Sequence, residues 1–520
     1  MAPPSIEGTE SQPMRRLLLS LLVAAALVPG AAVADPVKGG KIDVATIGEP
    51  PTLDPMANTG DLLGMITQHV YETLFTFDGE WRLQPLLAEA MPAISDDGRT
   101  YDIKIRPGVT FHDGEPLTAA DVVASLERWM RVASRGKQAA PMIESVAATG
   151  DLSVRMKLKQ AYAPLLSLLA FNNSAAVIMP KAHMDEPLTE VVGTGPYKLA
   201  ERKPDQYILL TRFDGYAARG EKPSRYAGRR TAYLDEIRFI PVPNANTRIE
   251  GAISGQYDLS DLLPVESYDR LTGLSTTEPV ILKSFGYPIM MLNTKQGPLA
   301  KLELRQAVQA ALSESDMMLA AFGKPEFFTV DGAMYPEGFP WRNDAGVDTY
   351  DQGNPEKAQE LMEKAGYAGE PIRILTSQQY EFHYKMALVA AEYLKAAGFK
   401  VDLQVSDWAT LTQRRNDPAL WEIFFTHSPF LPEPALNLGM SESGPGWWST
   451  ERRRAAFDAF NAASDPEQRA KLYADVQAAI MEEVPFIKVG DFNALSAKSP
   501  KLKGYEPSPW PSFWNTWVEK

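Results

Sequence analysis

The sequence predicts an α/β protein, on three observations. Stretches that alternate polar and apolar residues mark strands along the chain. Helices with clear capping residues and one apolar face lie between them. Twice in succession, between Asn354 and Val405, a helix stopped by a glycine is followed by a strand, the second time directly.

The elements follow in order. Lys41-Ile42-Asp43-Val44-Ala45-Thr46-Ile47 alternates as an early strand should, and residues 101–106 do the same until Pro107-Gly108 ends them. Thr118 with Asp121 three residues on predicts a capped helix whose apolar face is Val122, Leu126, Trp129 and Met130. Residues 152–159 form the cleanest period-two stretch, and weaker strands are predicted at 208–213, 237–240, 372–376, 400–405 and 422–426. Asn354-Pro355 opens a helix with Leu361, Met362 and Ala365 inward and Gly366 as its stop. A long helix over 380–397 closes at Gly398. Asp465-Pro466 opens the last one, with Leu472, Val476 and Ile480 on one side. The basic run 222–230 reads as a surface loop, and no internal repeat or low-complexity linker interrupts the chain.

Bulk properties narrow the function classes. A chain of 520 residues folds as roughly two to four units, and 45% hydrophobic with 23% charged residues supports a large packed core. The net charge of -14 argues against a nucleic-acid partner, which needs a basic face. The absence of cysteine excludes disulfides, thiolate metal sites, a cysteine nucleophile and a lipidated N-terminal cysteine. Near the N-terminus, Met14-Arg15-Arg16, the apolar run 17–28, the break at Pro29-Gly30 and the small-residue site Ala32-Val33-Ala34 form a signal peptide, so the mature chain is expected to start at Asp35. The run is shorter than the roughly 20 residues that span a bilayer. The expectation is a soluble, unlipidated protein exported to a periplasm.

Catalytic signatures are missing. No nucleophile elbow, zinc helix, P-loop or dinucleotide fingerprint occurs. Ser134-Arg135-Gly136-Lys137 matches S-x-x-K formally but lacks its partner motifs, and it reads as the polar end of a helix. The five histidines, His69, His112, His183, His383 and His427, show no metal-pair spacing, and a structural role suits most of them. His427 stands apart because it follows an apolar strand at a cleft edge. No acidic pair stands out for glycoside hydrolysis. Trp408, Trp421, Trp447, Trp448, Trp510, Trp514 and Trp517 crowd the last quarter, as core or as the aromatic walls of a solute pocket. No catalytic residue, metal site or cofactor is expected.

The stretch DGRTYDIKIRPGVTFHDGEPLTAADV, residues 97–122, resembles the signature of the family 5 extracellular solute-binding proteins, the dipeptide, oligopeptide and nickel group. YETLFTFDG (71–79), PLLAEA (85–90), APLLSLLA (163–170), VGTGPYKL (192–199), YLDEIRF (233–239), SGQYDLSD (254–261), LRQAVQAAL (304–312), NPEKAQELMEKAGY (354–367) and AGFKVDLQVSDWATL (397–411) follow in the family order. The resemblance covers essentially the whole mature chain. It implies a periplasmic-binding-protein-like fold of two lobes with a hinge between them. One lobe would comprise 35–68, 193–285 and 490–520, the other 286–489, with an extra domain over 69–192. It further implies the substrate-binding component of an ABC importer, a monomer that captures a solute by hinge closure and passes it to the permease and, through it, the ATPase.

The ligand is less defined. Dipeptide-binding relatives hold the peptide amino group with an Asp after the strand that here ends near Thr426. This chain reads THSPFLPEPALN there, with Glu433 as its only acid. Those relatives hold the carboxylate with an Arg at the start of the long helix, where this chain reads SQQYEFHYK. An oligopeptide is the leading expectation, with an opine, glycoconjugate or chelated metal as the alternative and a secreted hydrolase behind both. The expected ligand-binding residues are Gln378, Tyr380, Trp408, His427 and Glu433 on one side and Glu49, in the turn after the first strand, on the other, with Trp447 and Trp448 capping the cleft. Trp408 carries the resemblance to peptide-binding relatives best, as an apolar wall.

Overall fold

The computed structural model describes Met1 and residues 36–519, apart from residues 443 and 464. The signal peptide expected over 1–34 lies, save Met1, outside the described residues. Residues 36–520 form one compact unit.

The alternating stretches become strands with one dry face. In β1 (Lys41–Thr46), Ile42 and Val44 are fully buried while Lys41 is exposed. β2 (Thr100–Lys104), β3 (Ile143–Gly150) and β4 (Ser153–Leu158) belong to a four-stranded antiparallel sheet, in which Val154, Met156 and Leu158 point inward between exposed Arg155 and Lys157. Between β2 and β3 lie α1's successors in the chain: α1 itself spans Asp61–Thr67, α2 spans Ala119–Val132 and α3 spans Ser134–Ala139. The Thr118 amide and hydroxyl both donate to Asp121 Oδ2, at 3.0 and 2.6 Å, which fixes the start of α2.

The remaining strands extend a twelve-stranded mixed sheet. β5 (Tyr197–Lys203), β6 (Tyr207–Arg212), β7 (Glu236–Pro241) and β8 (Leu259–Leu263) flank β1, which runs parallel to both β7 and β8. β9 (Glu278–Leu292) and β13 (Asp491–Lys498) join this half of the sheet to β10 (Ile372–Thr376), β11 (Val401–Val405) and β12 (Ile423–Pro429). The order of ten of them is β11-β10-β12-β9-β13-β8-β1-β7-β6-β5, and the short strands Phe328–Thr329 and Phe486–Lys488 pair with β13 and β9 off this path. The chain therefore passes from one half to the other along β9 and returns along β13. Their pairing shifts register between Leu282 and Gly286, where Ser284 has φ 46° and its amide donates to Asn493 Oδ1 at 2.8 Å.

β9 has no period-two signal because Phe285–Leu292 is buried on both faces, so sequence alternation missed it. The helices stand where their caps put them. α4 (Pro355–Ala365) begins with the Lys357 amide on Asn354 Oδ1 at 2.9 Å and ends at Gly366 with φ 66°. α5 (Glu381–Ala396), α6 (Trp408–Arg414) and α7 (Pro466–Glu483) follow, α6 and α7 opened by the side chains of Asp407 and Asp465.

The VGTGPY segment has a packing reason. A Cβ on Gly193 would sit 2.1 Å from the Val70 carbonyl oxygen, and one on Gly195 would sit 2.4 Å from that of His69. The core divides between the two halves of the sheet, yet Leu431 and Leu436 pack into the same apolar cluster as Ile42, Phe171 and Trp510.

Candidate functional site

β1, β7, β10, β11 and β12 end in a common region, where parallel strands leave a crevice beyond their carboxyl ends. Two adjoining cavities, of about 180 and 210 Å³, occupy it and share Gly60, Asp61, Tyr380, Trp408 and Thr412 as their common wall. The turn after β1 and the start of α1 form one side. The start of α5, one face of α6 and the end of β12 form the other.

Hydrogen bonds cross this crevice. Gln379 Nε2 donates to the Ile47 carbonyl at 3.2 Å while its Oε1 accepts from the Trp408 amide at 2.5 Å. Arg415 Nη2 donates to Thr59 Oγ1 at 2.9 Å, Arg135 Nη2 to the Leu436 carbonyl at 2.6 Å and Gln138 Nε2 to the Ala435 carbonyl at 2.9 Å. The two sides of the crevice thus touch.

The inner cavity has an aromatic floor. The Tyr380 ring meets Trp408 edge-on at 4.8 Å and lies 4.9 and 5.0 Å from His383 and His427. His427 Nδ1 is 3.1 Å from His383 Nε2, and His427 Nε2 is 3.8 Å from Asp61 Oδ2. Burial lowers the His427 pKa to about 4 and that of His383 well below the usual value, so both rings are neutral at pH 7. His383 Nδ1 is buried without a partner. An orphaned acceptor is cheaper than an orphaned N–H, so His383 donates through Nε2 and His427 keeps its proton on Nε2, facing the cavity. Asp61 Oδ1 accepts from Trp510 Nε1 at 3.0 Å and Asn173 Nδ2 at 3.2 Å, which leaves Oδ2 without a hydrogen bond. Desolvation raises the Asp61 carboxyl above its usual range, against the opposing pull of Trp510, Arg135, Asn173 and Arg415.

Each expected site residue has a definite place. Tyr380, Trp408 and His427 line the cavity together. Glu49 lines the outer chamber but is bound to Arg202 Nε at 2.7 Å and to the Asp205 amide at 2.6 Å. Gln378 is exposed and turned away, and its neighbour Gln379 takes the position in the wall. Glu433 is 4% exposed with both oxygens on Arg469, at 2.9 Å each, so it is no free acceptor for an ammonium. Trp448 is 1% exposed, and its Nε1 donates to Glu483, so it belongs to the core and not to a cap. Trp447 stacks on Trp421 at 5.6 Å, beside the Gly444-Pro445 turn that does reach the cavity. Sequence reasoning passed over Asp61, Arg135 and Arg415. Arg135 sits inside the S-x-x-K run, and its neighbour Ser134 also lines the cavity. Arg415 had a readable signal: Trp408, Thr412 and Arg415 are spaced i, i+4, i+7 along one face of α6 and its C-cap.

Residues 82–447 match the model of the bacterial extracellular solute-binding proteins, family 5. The chain is 27% identical over 481 residues to a probable peptide ABC transporter periplasmic-binding protein, y4tO, of Sinorhizobium fredii, covering 89% of this chain and 90% of the relative. It is 27% identical over 509 residues to the glutathione-binding protein GsiB of Pectobacterium atrosepticum, covering 94% and 96%. The periplasmic binding protein AgaA of A. tumefaciens R10, solved with agropinic acid, superposes with a TM-score of 0.81 at 24% identity, over 92% of this chain and 99% of that one. No helix among the described residues is long and apolar enough to cross a membrane. The α/β fold with its large mixed sheet and small antiparallel sheet is that of these proteins. The chain belongs to the family 5 bacterial extracellular solute-binding proteins, non-enzymatic proteins that bind a solute and work with an ABC transporter.

Proposed function

We propose that this chain is the periplasmic receptor of an importer for short peptides. Residues 35–68, 193–285 and 490–520 act as one lobe, 286–489 as the other and 69–192 as an appended domain, with the hinge where β9 and β13 cross. Solute binds between the lobes and favours the closed form through contacts made only there. The closed form is then read by the permease, which passes the solute on with energy from its ATPase.

The observation that carries this reading is the pair of adjoining cavities walled from both sides of the crossing strands and bridged by Gln379, Arg415 and Arg135. Together they lie near the low end of the roughly 300–1,000 Å³ usual for small-solute pockets, which favours a short peptide over a long one. The same size, with no free acid after β12, supports a second reading: an N-carboxyalkyl amino acid of the opine kind.

Thermal melting of stripped protein against peptides of two to five residues, opines, oligosaccharides and chelated nickel tests this. A solute at about 100 times its dissociation constant adds about 2.7 kcal/mol. Small-angle scattering with and without the best solute checks closure. Binding without compaction overturns the closure mechanism, and a shift confined to opines moves the ligand to the second reading.

A further inference from the structure

Resting on that reading, one feature of the cavity specifies the solute's charge. The buried arginines elsewhere are each held by a carboxylate or by several carbonyls, even where their Nε has no partner. Arg128 pairs with Asp54 at 2.6 Å and Arg469 with Glu433 at 2.9 Å, while Arg248 and Arg305 each donate to three carbonyls. Arg415 differs. It lines the inner cavity, has no carboxylate within ion-pair distance among the described residues, and makes a single side-chain hydrogen bond, to Thr59 Oγ1. Its Nε is buried without a partner, as are those of Arg128 and Arg248, so the difference lies in the terminal nitrogens. Its packing adds a contact with the Phe424 ring at 6.0 Å and, beyond ion-pair distance, the attraction of Asp61. A half-buried guanidinium with one hydrogen bond and no ion-pair partner is open to an anion of the solute.

The surroundings agree. Arg135, 3% exposed, lines the same cavity with neutral acceptors only, two oxygens of Asn173 and the Leu436 carbonyl, and its Nε too is unpartnered. The cavity face of His427 is an N–H. Against these donors stands one carboxylate in the inner cavity, Asp61, whose Oδ2 is free. The wall is therefore bipolar, with two guanidinium groups and an imidazole N–H on one hand and one available carboxylate oxygen on the other.

We propose that Arg415, backed by Arg135, is the seat of a carboxylate of the solute, and that Asp61 Oδ2 receives its ammonium or amide N–H. The solute is amphoteric, and its two ends take the roles that an Asp after β12 and an Arg at the start of α5 do not fill in this chain. The chain itself gives the Arg415 side chain only Thr59 Oγ1, and the bound anion completes its hydrogen bonding.

The test uses matched solutes. Di- and tripeptides and N-carboxyalkyl amino acids are each offered as the free acid, the C-terminal amide and the N-acetyl acid, and binding is measured by calorimetry. A charge-assisted hydrogen bond supports a loss of about tenfold or more when the acid becomes the amide. Arg415→Gln should weaken the acid by a similar factor and leave the amide within about twofold, which erases the discrimination. Asp61→Asn should erase the discrimination between free amine and N-acetyl. Equal binding of acid and amide, or a discrimination that survives Arg415→Gln, overturns the assignment. If no solute of the panel binds the wild-type protein, the peptide reading itself falls, and the empty protein still decides about Arg415. Arg415→Met melting at or above the wild type upholds an arginine held for a missing anion. Melting several degrees below it makes Arg415 structural and overturns the proposal.

Discussion

Lowering the pH should unfold this protein in part through one histidine. His69 is fully buried after α1. Its Nδ1–H donates to the Met65 carbonyl at 3.0 Å, its Nε2 accepts from the Phe513 amide at 3.0 Å, and its ring stacks on Phe513 at 5.5 Å. A second proton on Nε2 would point at an amide N–H and would add charge near Arg230. Burial lowers the pKa to about 4 from the usual 6.5. The folded value lies below the unfolded one, so the unfolded chain takes up the proton first. The stabilising contribution is complete above pH 6.5 and is lost as the pH falls through 6.5 toward about 4. Between pH 6.5 and 4.5 linkage puts the loss at about 2 kcal/mol. The assay is urea unfolding, followed by tryptophan fluorescence, of the wild type and His69→Gln at both pH values. The variant keeps an acceptor but does not titrate, and all other groups are common to both proteins. The variant should be the less stable at pH 6.5, and the gap should shrink by about 2 kcal/mol at pH 4.5. A gap that is the same at both values refutes the reasoning.

Three further outcomes are expected. Gly286→Ala places a Cβ 2.0 Å from the Ser428 carbonyl oxygen, where β9 pairs with β12; overpacking of this kind should cost about 1–3 kcal/mol, read as a lower urea midpoint. Arg469→Met strands the Glu433 carboxylate, buried with no other charged partner among the described residues, and should cost about 3–5 kcal/mol, while Glu433→Gln should lower the melting temperature without changing the affinity for any solute that binds. Trp408→Ala removes the ring that Tyr380 meets at 4.8 Å and should weaken solute binding about tenfold or more, at nearly unchanged melting of the empty protein.

The parts of the fold legible in sequence were those in which one residue type has one physical role. Thr118 with Asp121, Asn354-Pro355 and Asp465-Pro466 mark helix starts because their side chains bond the exposed amides, and each start was placed correctly. Residues 152–159 announced a strand because one face is wet. β9 and β13 were not announced. Both lie in the middle of the sheet, and the inner half of β9 is apolar on each face, so alternation vanishes where the chain crosses between the halves.

The site was legible where its residues lie close together in the chain and opaque where it depends on pairing. Trp408 and Tyr380 follow from their places just after strands, and Arg415 could have followed from helical spacing with Trp408. Glu433 could not be judged, because its availability depends on Arg469, 36 residues away, and the sequence does not show that the two meet. Asp61, Arg135, Arg415 and His427 come from four separate segments, and each is unremarkable in its own stretch. Their joint meaning arises from subtraction. The cleft brings two guanidinium groups to a wall with one carboxylate, and only the folded chain shows which charges already have partners. The most informative group in the site is therefore Arg415, the cation for which the folded protein supplies so little.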